Sequence, residues 1–175
     1  MLGVAAALVA ALAATPSNAQ ALAVIGDRWS LLILRESFLR IRRFEEFQSS
    51  LGVTRHLLAD RLKKLVRFGV LRRVLYQESP KRYEYILTQK GLDLYPIIMS
   101  IVHWGNIHMV DSRGRPMLHQ HKNCGKMFDP VMVCSECEPL TAKAVDVHPG
   151  PGARQSSPVH ANVQERAKSR VRLVA

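Results

Sequence analysis

Apolar side chains recur at Leu22, Ile25, Trp29, Leu32, Ile33 and Phe38 through "ALAVIGDRWSLLILRESFL". That spacing predicts an amphipathic helix, with Gly26 marking a break or a close contact. A second short helix fits "RRFEEFQSSL", where Phe44, Phe47 and Leu51 share one face. Leu51-Gly52-Val53 then reads as a tight connection. Thr54 is placed to cap a helix over residues 55–68, and Gly69 to stop it.

That third helix, within "GVTRHLLADRLKKLVRFGVLRRV", is both greasy and basic because it has two sides. At about 100° per residue, Leu58, Leu62 and Leu65 fall within about 60° of each other. His56, Asp60, Lys63 and Arg67 project opposite them, flanked by Ala59 and Lys64. "VLRRVLYQ" and "RYEYILT" alternate around a turn at Ser79-Pro80-Lys81, which predicts a β-hairpin. Tyr83, Tyr85 and Leu87 share one of its faces. A helix, a tight turn, a second helix and a hairpin, in that order, make a winged helix-turn-helix.

Thr88 then caps a further helix, "TQKGLDLYPIIMSIVHWGNIHM", interrupted by Gly91 and Pro96. It is apolar at Leu92, Leu94, Tyr95, Ile97, Ile98, Ile101, Val102 and Trp104. Those residues cover more than one face. The surplus predicts a dimer contact, with burial inside the domain as the alternative. The fold class expected is therefore mainly α with a small β-hairpin wing, plus a zinc-ribbon-like C-terminal extension.

The chain divides by pattern into four stretches. Residues 1–19 are an uncharged, Ala-rich arm. Ser17-Asn18-Ala19 has the small residues of a signal cleavage site, but no Lys or Arg precedes Arg28, so a loose arm or a mis-assigned start is preferred. Residues 20–109 carry the winged domain and the dimerisation helix. Residues 110–148 turn to loop, Pro and Cys, and residues 149–175 form a basic tail without periodicity, expected to be disordered.

Charge sharpens this picture. The net charge is +11 over 175 residues, which favours a polyanionic partner. Between Arg35 and Arg82 there are thirteen Lys or Arg against five Asp or Glu. Duplex DNA, whose phosphates release counterions when neutralised, is the partner expected. Arg42, Arg43, Lys81 and Arg82 are the phosphate candidates, at the second helix's start and at the wing. Thr54, Arg55, His56, Ala59, Asp60 and Lys63 are the candidates for reading bases, with Lys64 and Arg67 on the same helix. Arg or Lys can donate to guanine, Asp can accept from cytosine, and Ala59 can admit a thymine methyl. For Asp60 a helix pair with Lys63 or Lys64 is favoured over a base contact. Arg61 lies nearer the apolar stripe and is read as holding the fold.

In order and spacing, "ALAVIGDRWSLLILRE", "RRFEEFQSSLGVTRHLLADRLKKLVRFGVLRR" and "RYEYILTQKGLDLYPII…HWG" resemble the HxlR-type winged helix-turn-helix transcriptional regulators of bacteria, over roughly residues 20–105. The resemblance implies a cytoplasmic, homodimeric DNA-binding protein that represses or activates neighbouring genes, in some members in response to electrophiles or oxidants. The dimer would form through residues 88–108 and the first helix, on a palindromic operator. The family commonly has a cysteine shortly before the first helix; that position is Pro16 here, which puts thiol sensing there in doubt. Some relatives carry a cysteine-containing extension resembling "HQHKNCGKMFDPVMVCSECEPL".

All three cysteines lie in that extension. His121, Cys124, Cys134 and Cys137 have the spacing of a structural zinc site, with His119 as an alternate ligand. Glu138 stands where zinc knuckles usually have Gly. A redox-active thiol cluster and a metal-free remnant stay open as alternatives. Nothing resembles a phosphate-binding Gly loop, a G-x-S-x-G elbow or H-E-x-x-H, so an enzyme is not expected, and neither is a membrane partner. The rival function is a zinc-ribbon and winged-helix interaction adaptor with only non-specific DNA affinity.

Overall fold

The computed structural model describes residues 17–136, 139 and 140. Most of the Ala-rich arm, Cys137 and the basic tail therefore lie outside the described residues. The chain divides into two units, residues 1–128 and 129–175. The order of elements in the first is α1 (Ser17–Ile25), α2 (Arg28–Phe38), α3 (Phe44–Leu51), α4 (Arg55–Arg67), β1 (Leu71–Gln77), β2 (Arg82–Leu87), α5 (Gln89–Leu92), α6 (Tyr95–His108), β3 (His119–Gln120) and β4 (Met127–Phe128).

Local chemistry sets the boundaries. The Asp27 carboxylate accepts the Ser30 amide at 2.9 Å and starts α2. The Thr54 hydroxyl accepts the Leu57 amide at 3.4 Å and starts α4. Between α3 and α4 the turn needs a left-handed residue, and Gly52 supplies it at φ +62°. Thr88 caps α5 by accepting from Gly91, and its own hydroxyl donates to the Gly69 carbonyl at 2.6 Å. Gly91 itself is required by closeness: a Cβ there would sit 2.3 Å from the Val70 carbonyl oxygen.

The core gathers Ile33 and Leu34 of α2, Phe47 of α3, and Leu58, Leu62 and Leu65 of α4, with Val70 and Leu71. Each such side chain contributes about 1.5–3 kcal/mol by leaving water. The leucine stripe of α4 is thus where its spacing places it. The α2 face is turned from expectation: Leu34 is fully buried, Leu32 only half-buried, and Leu22 of α1 is 63% exposed. The helix stops at Ile25 and restarts at Arg28, so the phase read across Gly26 does not carry over.

The wing is an antiparallel hairpin in the register Leu71↔Leu87, Arg73↔Tyr85 and Leu75↔Tyr83, irregular between Leu75 and Gln77. Its tip contains a cis Ser79–Pro80 bond. A bridge between Arg43 and Glu84, with the Tyr85 amide on the Arg42 carbonyl at 2.8 Å, ties the wing to the start of α3. The predicted last helix is two: α5 is a single turn, and α6 begins with Pro96 in its first turn. No helix among the described residues is long and apolar enough to cross a membrane. In the second unit, an isolated bridge between Val133 and Pro139 and a Leu140 amide on the Met132 carbonyl at 2.8 Å close a turn around Cys134.

Candidate nucleic-acid interface

The outer face of α4 rests on its buried stripe. With Leu58, Leu62 and Leu65 sealed, Arg55, His56, Ala59, Asp60, Lys63 and Arg67 are exposed, as is Thr54 at the cap. Asp60, Lys63, Lys64, Val66 and Arg67 line a groove of about 450 Å³ on that side. The Arg55 guanidinium stacks on the Phe44 ring at 4.9 Å, and Arg67 on Phe68 at 4.9 Å. Such stacking restrains long cationic side chains while leaving their charge outward.

Two cations of α4 turn inward. Arg61 Nε lies 3.0 Å from Asp27 Oδ1, and Lys64 Nζ 3.0 Å from Asp27 Oδ2. Ser30, fully buried, donates its hydroxyl to Asp27 Oδ2 at 2.7 Å. Burial alone would raise the Asp27 carboxyl's pKa. The Ser30 hydroxyl and amide, then Lys64, outweigh it and hold the group well below the usual carboxylate range. Asp27 thus clamps α4 to the start of α2, and Lys64, which also lines the outer groove, has its ammonium held in this clamp. Arg61 has the structural place expected of it. Asp60 pairs with Arg61, not with Lys63 or Lys64.

Arg42 and Arg43 precede α3 instead of lying within it, and both are exposed. Glu46 accepts from their backbone amides at 3.2 and 3.0 Å. These two amides, the larger influence, pull the Glu46 pKa down. Arg43 also stacks over Tyr76 at 4.7 Å and reaches Glu84 at 3.5 Å. Lys81 and Arg82 are exposed at the wing tip. Arg72 and Arg73, which the sequence reading did not single out, are exposed on β1, with Arg73 3.9 Å from the centre of the Tyr83 ring. The strand could be read from the alternation around them, but only the fold shows that these two adjacent arginines both reach solvent.

The extension presents a different chemistry. His121 and Cys124 share one turn: the Gly125 amide donates to the His121 carbonyl at 2.8 Å, and Gly125 takes φ +67°. His121 Nδ1 lies 3.3 Å from Cys124 Sγ. His119 is on β3, across from Phe128. Cys134 is half-buried in the second unit. Among the described residues, no group of three or more His, Cys, Asp or Glu stands close enough to hold a metal ion.

Comparison with known proteins agrees with the fold. Residues 24–113 match the family described as HxlR-like helix-turn-helix. The uncharacterized HTH-type transcriptional regulator Rv3095 of Mycobacterium tuberculosis is 42% identical over 137 residues, 78% of this chain and 87% of its own. Among solved structures, PA1607, described as a candidate transcription factor, superposes with a TM-score of 0.69 at 35% identity, over 77% of this chain and 95% of its own. A second candidate transcription factor, PA1374 from Pseudomonas aeruginosa, gives 0.57 at 30% identity, over 84% of this chain and 97% of its own. The chain belongs to the HxlR-like helix-turn-helix family of transcriptional regulators.

Proposed function

We propose that the chain is a sequence-specific regulator that acts in the cytoplasm as a homodimer on a palindromic operator. Its family makes it a DNA-binding transcriptional regulator and not an enzyme. The observation that carries the finer reading is the two-sidedness of α4: a sealed leucine stripe beneath an exposed face bearing Arg55, His56, Lys63 and Arg67. Such a helix enters the major groove with its N-terminal residues toward base edges. Thr54, Arg55, His56, Ala59, Asp60 and Lys63 read bases in this account. Arg42, Arg43, Arg67, Lys81 and Arg82 take phosphates, joined by Arg72 and Arg73. Lys64 contributes only by leaving Asp27.

The dimer reading is supported by α6. Tyr95, Ile97, Ile101, Trp104 and Ile107 are each more than 40% exposed. Large apolar side chains grouped on one helix mark an association surface. Hydroxyl-radical footprinting on the upstream intergenic DNA tests both points. Two protected half-sites about one helical turn or a multiple of it apart support the reading; a single unpaired patch contradicts the dimer.

Along the sequence, His121, Cys124, Cys134 and Cys137 keep the spacing of a structural zinc site, and one zinc is the cofactor this reading assigns to the extension. Support comes from the spacing and from the His121–Cys124 pair. A nitrogen and a sulfur bound to one tetrahedral zinc lie about 3.5 Å apart, from bonds of about 2.0 and 2.3 Å. The separation here is 3.3 Å.

A further inference from the structure

The first residues of α3 and α4 meet across the turn that joins these helices. Phe44 opens α3, Arg55 opens α4, and the Arg55 guanidinium carbon lies over the Phe44 ring, 4.9 Å from its centre. The negative face of an aromatic ring attracts a cation so placed. Phe44 is therefore the counter-group of Arg55, and it is not a carboxylate.

That difference decides what the arginine has left to offer. Arg35, Arg43 and Arg61 each commit donors to an acid: Glu36, Glu84, and Asp27 with Asp60. Arg55 forms no ion pair among the described residues. A ring face does not neutralise the charge, and it leaves the N–H fork that fits guanine O6 and N7 without a competing oxygen. The position of Arg55 points the same way. The first turn of α4 holds no acid, although the positive end of a helix favours acids and disfavours cations. Helix stability thus gives no reason for a cation there, whereas a polyanion meeting that turn does.

The ring beneath Arg55 is itself held. Phe44 is half-buried against the core, three residues before fully buried Phe47. Glu46 accepts the Arg42 and Arg43 amides just ahead of it, and the Tyr85 amide on the Arg42 carbonyl ties the same backbone to the wing. A platform fixed on these sides orders the arginine that rests on it, and a side chain ordered beforehand loses less freedom on binding.

We propose that Phe44 is a positioning residue for base reading: its ring orders Arg55 in the free protein and so sharpens the choice at one base pair. The inference rests on the base-reading role given to α4 above, and two measurements separate the two. The first is NMR of the free full chain, without DNA. The ring current should move the Arg55 side-chain protons upfield, and the Arg55 Nε–H should be more ordered than that of Arg72, which is exposed and lies over no ring among the described residues. Unshifted Arg55 protons, or order no greater than at Arg72, overturn the proposal. This measurement needs no variant, so it decides even where a Phe44 variant fails to fold.

The second compares affinity for the selected operator with affinity for operators changed at single base pairs. Arg55→Ala should cut discrimination at one position by at least about fivefold. Phe44→Leu should cut it at that same position by about two- to fivefold, add nothing in the Arg55→Ala background, and leave other positions alone. Phe44→Tyr, which keeps the ring, should retain the parent's discrimination. A Phe44→Leu effect spread evenly over all sequences, or undiminished in the Arg55→Ala background, makes Phe44 a packing residue only and overturns the proposal. Should Arg55→Ala relax no position, the base-reading role of Arg55 is what fails, and the proposal falls with it.

Discussion

Replacing Asp27 separates what the clamp contributes as a cap from what it contributes as a charge. Asn caps a helix about as well as Asp, so Asp27→Asn keeps the bond to the Ser30 amide, removes the carboxylate's charge and turns the Ser30 hydroxyl from donor to acceptor against the new amide N–H. The two ion pairs lost, to Arg61 and Lys64, are each 3.0 Å long between side chains 21–28% exposed. Hydrogen bonds to charged groups are worth about 1.5–3 kcal/mol when shielded, and partial exposure reduces this. The expected loss for Asp27→Asn is therefore about 1.5–3 kcal/mol. Asp27→Ala also loses the cap, about 1 kcal/mol, and leaves the buried Ser30 hydroxyl unpaired, another ~1 kcal/mol. Urea denaturation of the parent and both variants at pH 7, compared at equal m-value, measures the two steps.

The same clamp predicts a pH signature. Because the folded Asp27 pKa lies below its unfolded value near 3.9, its contribution is fully present above about pH 5. It fades as pH falls below about 4 toward the folded value, and since Asn does not titrate, the gap between parent and Asp27→Asn should narrow over that window. Freed Arg61 and Lys64 should also make the variant bind scrambled DNA more tightly, not less. An Asp27→Asn protein within about 0.5 kcal/mol of the parent at pH 7, with a gap independent of pH, would refute the clamp.

Other consequences can be checked separately. Lys81→Ala with Arg82→Ala should weaken binding to all DNA sequences and lower the slope of log K against log salt by about 2, one per phosphate contact; an unchanged slope removes the wing tip from the interface. Lys63→Ala should relax base preference at one position by about 1–3 kcal/mol in a binding-site selection, and a selection identical to the parent's would remove it from base reading. Ile101→Glu with Trp104→Glu should leave a folded monomer in sedimentation equilibrium, and a persisting dimer would place the contact elsewhere. Plasma mass spectrometry should find one zinc per chain, lost in Cys134→Ser. Metal-free parent protein with reversible disulfides would favour redox thiols instead.

How much of this was readable beforehand depended on whether the cause was local. Leu58, Leu62 and Leu65 recur at helical spacing, and Thr54 and Gly69 bracket them, so α4 and its buried stripe follow from adjacent residues. The wing's alternation and its turn are local as well. Gly26 is the break and close contact its place in the pattern indicates, a Cβ there colliding with the Leu22 carbonyl oxygen at 2.4 Å, but Leu22 and Leu32 were misplaced because one helical phase was carried across it. The break resets the helical phase.

The charges were harder. A helical wheel puts Lys64 on the flank of the outer face, but its partner, Asp27, is thirty-seven residues away. Glu36, buried against Arg35 and Ser50, gave no sequence signal of its own. The pairing of β3 with β4 involves two residues on each strand, too few for any periodicity.

The central claim is that the outward face of α4 reads sequence. Affinity for the upstream intergenic DNA and for scrambled DNA of equal length, measured across a salt series, tests it most directly. The account predicts two lines separated by at least a thousandfold near physiological salt, as specific binding requires. Both should steepen with the number of phosphates neutralised. Coincident, salt-labile lines for the upstream DNA and the scrambled DNA would contradict it, leaving a basic surface that attracts polyanions without reading them.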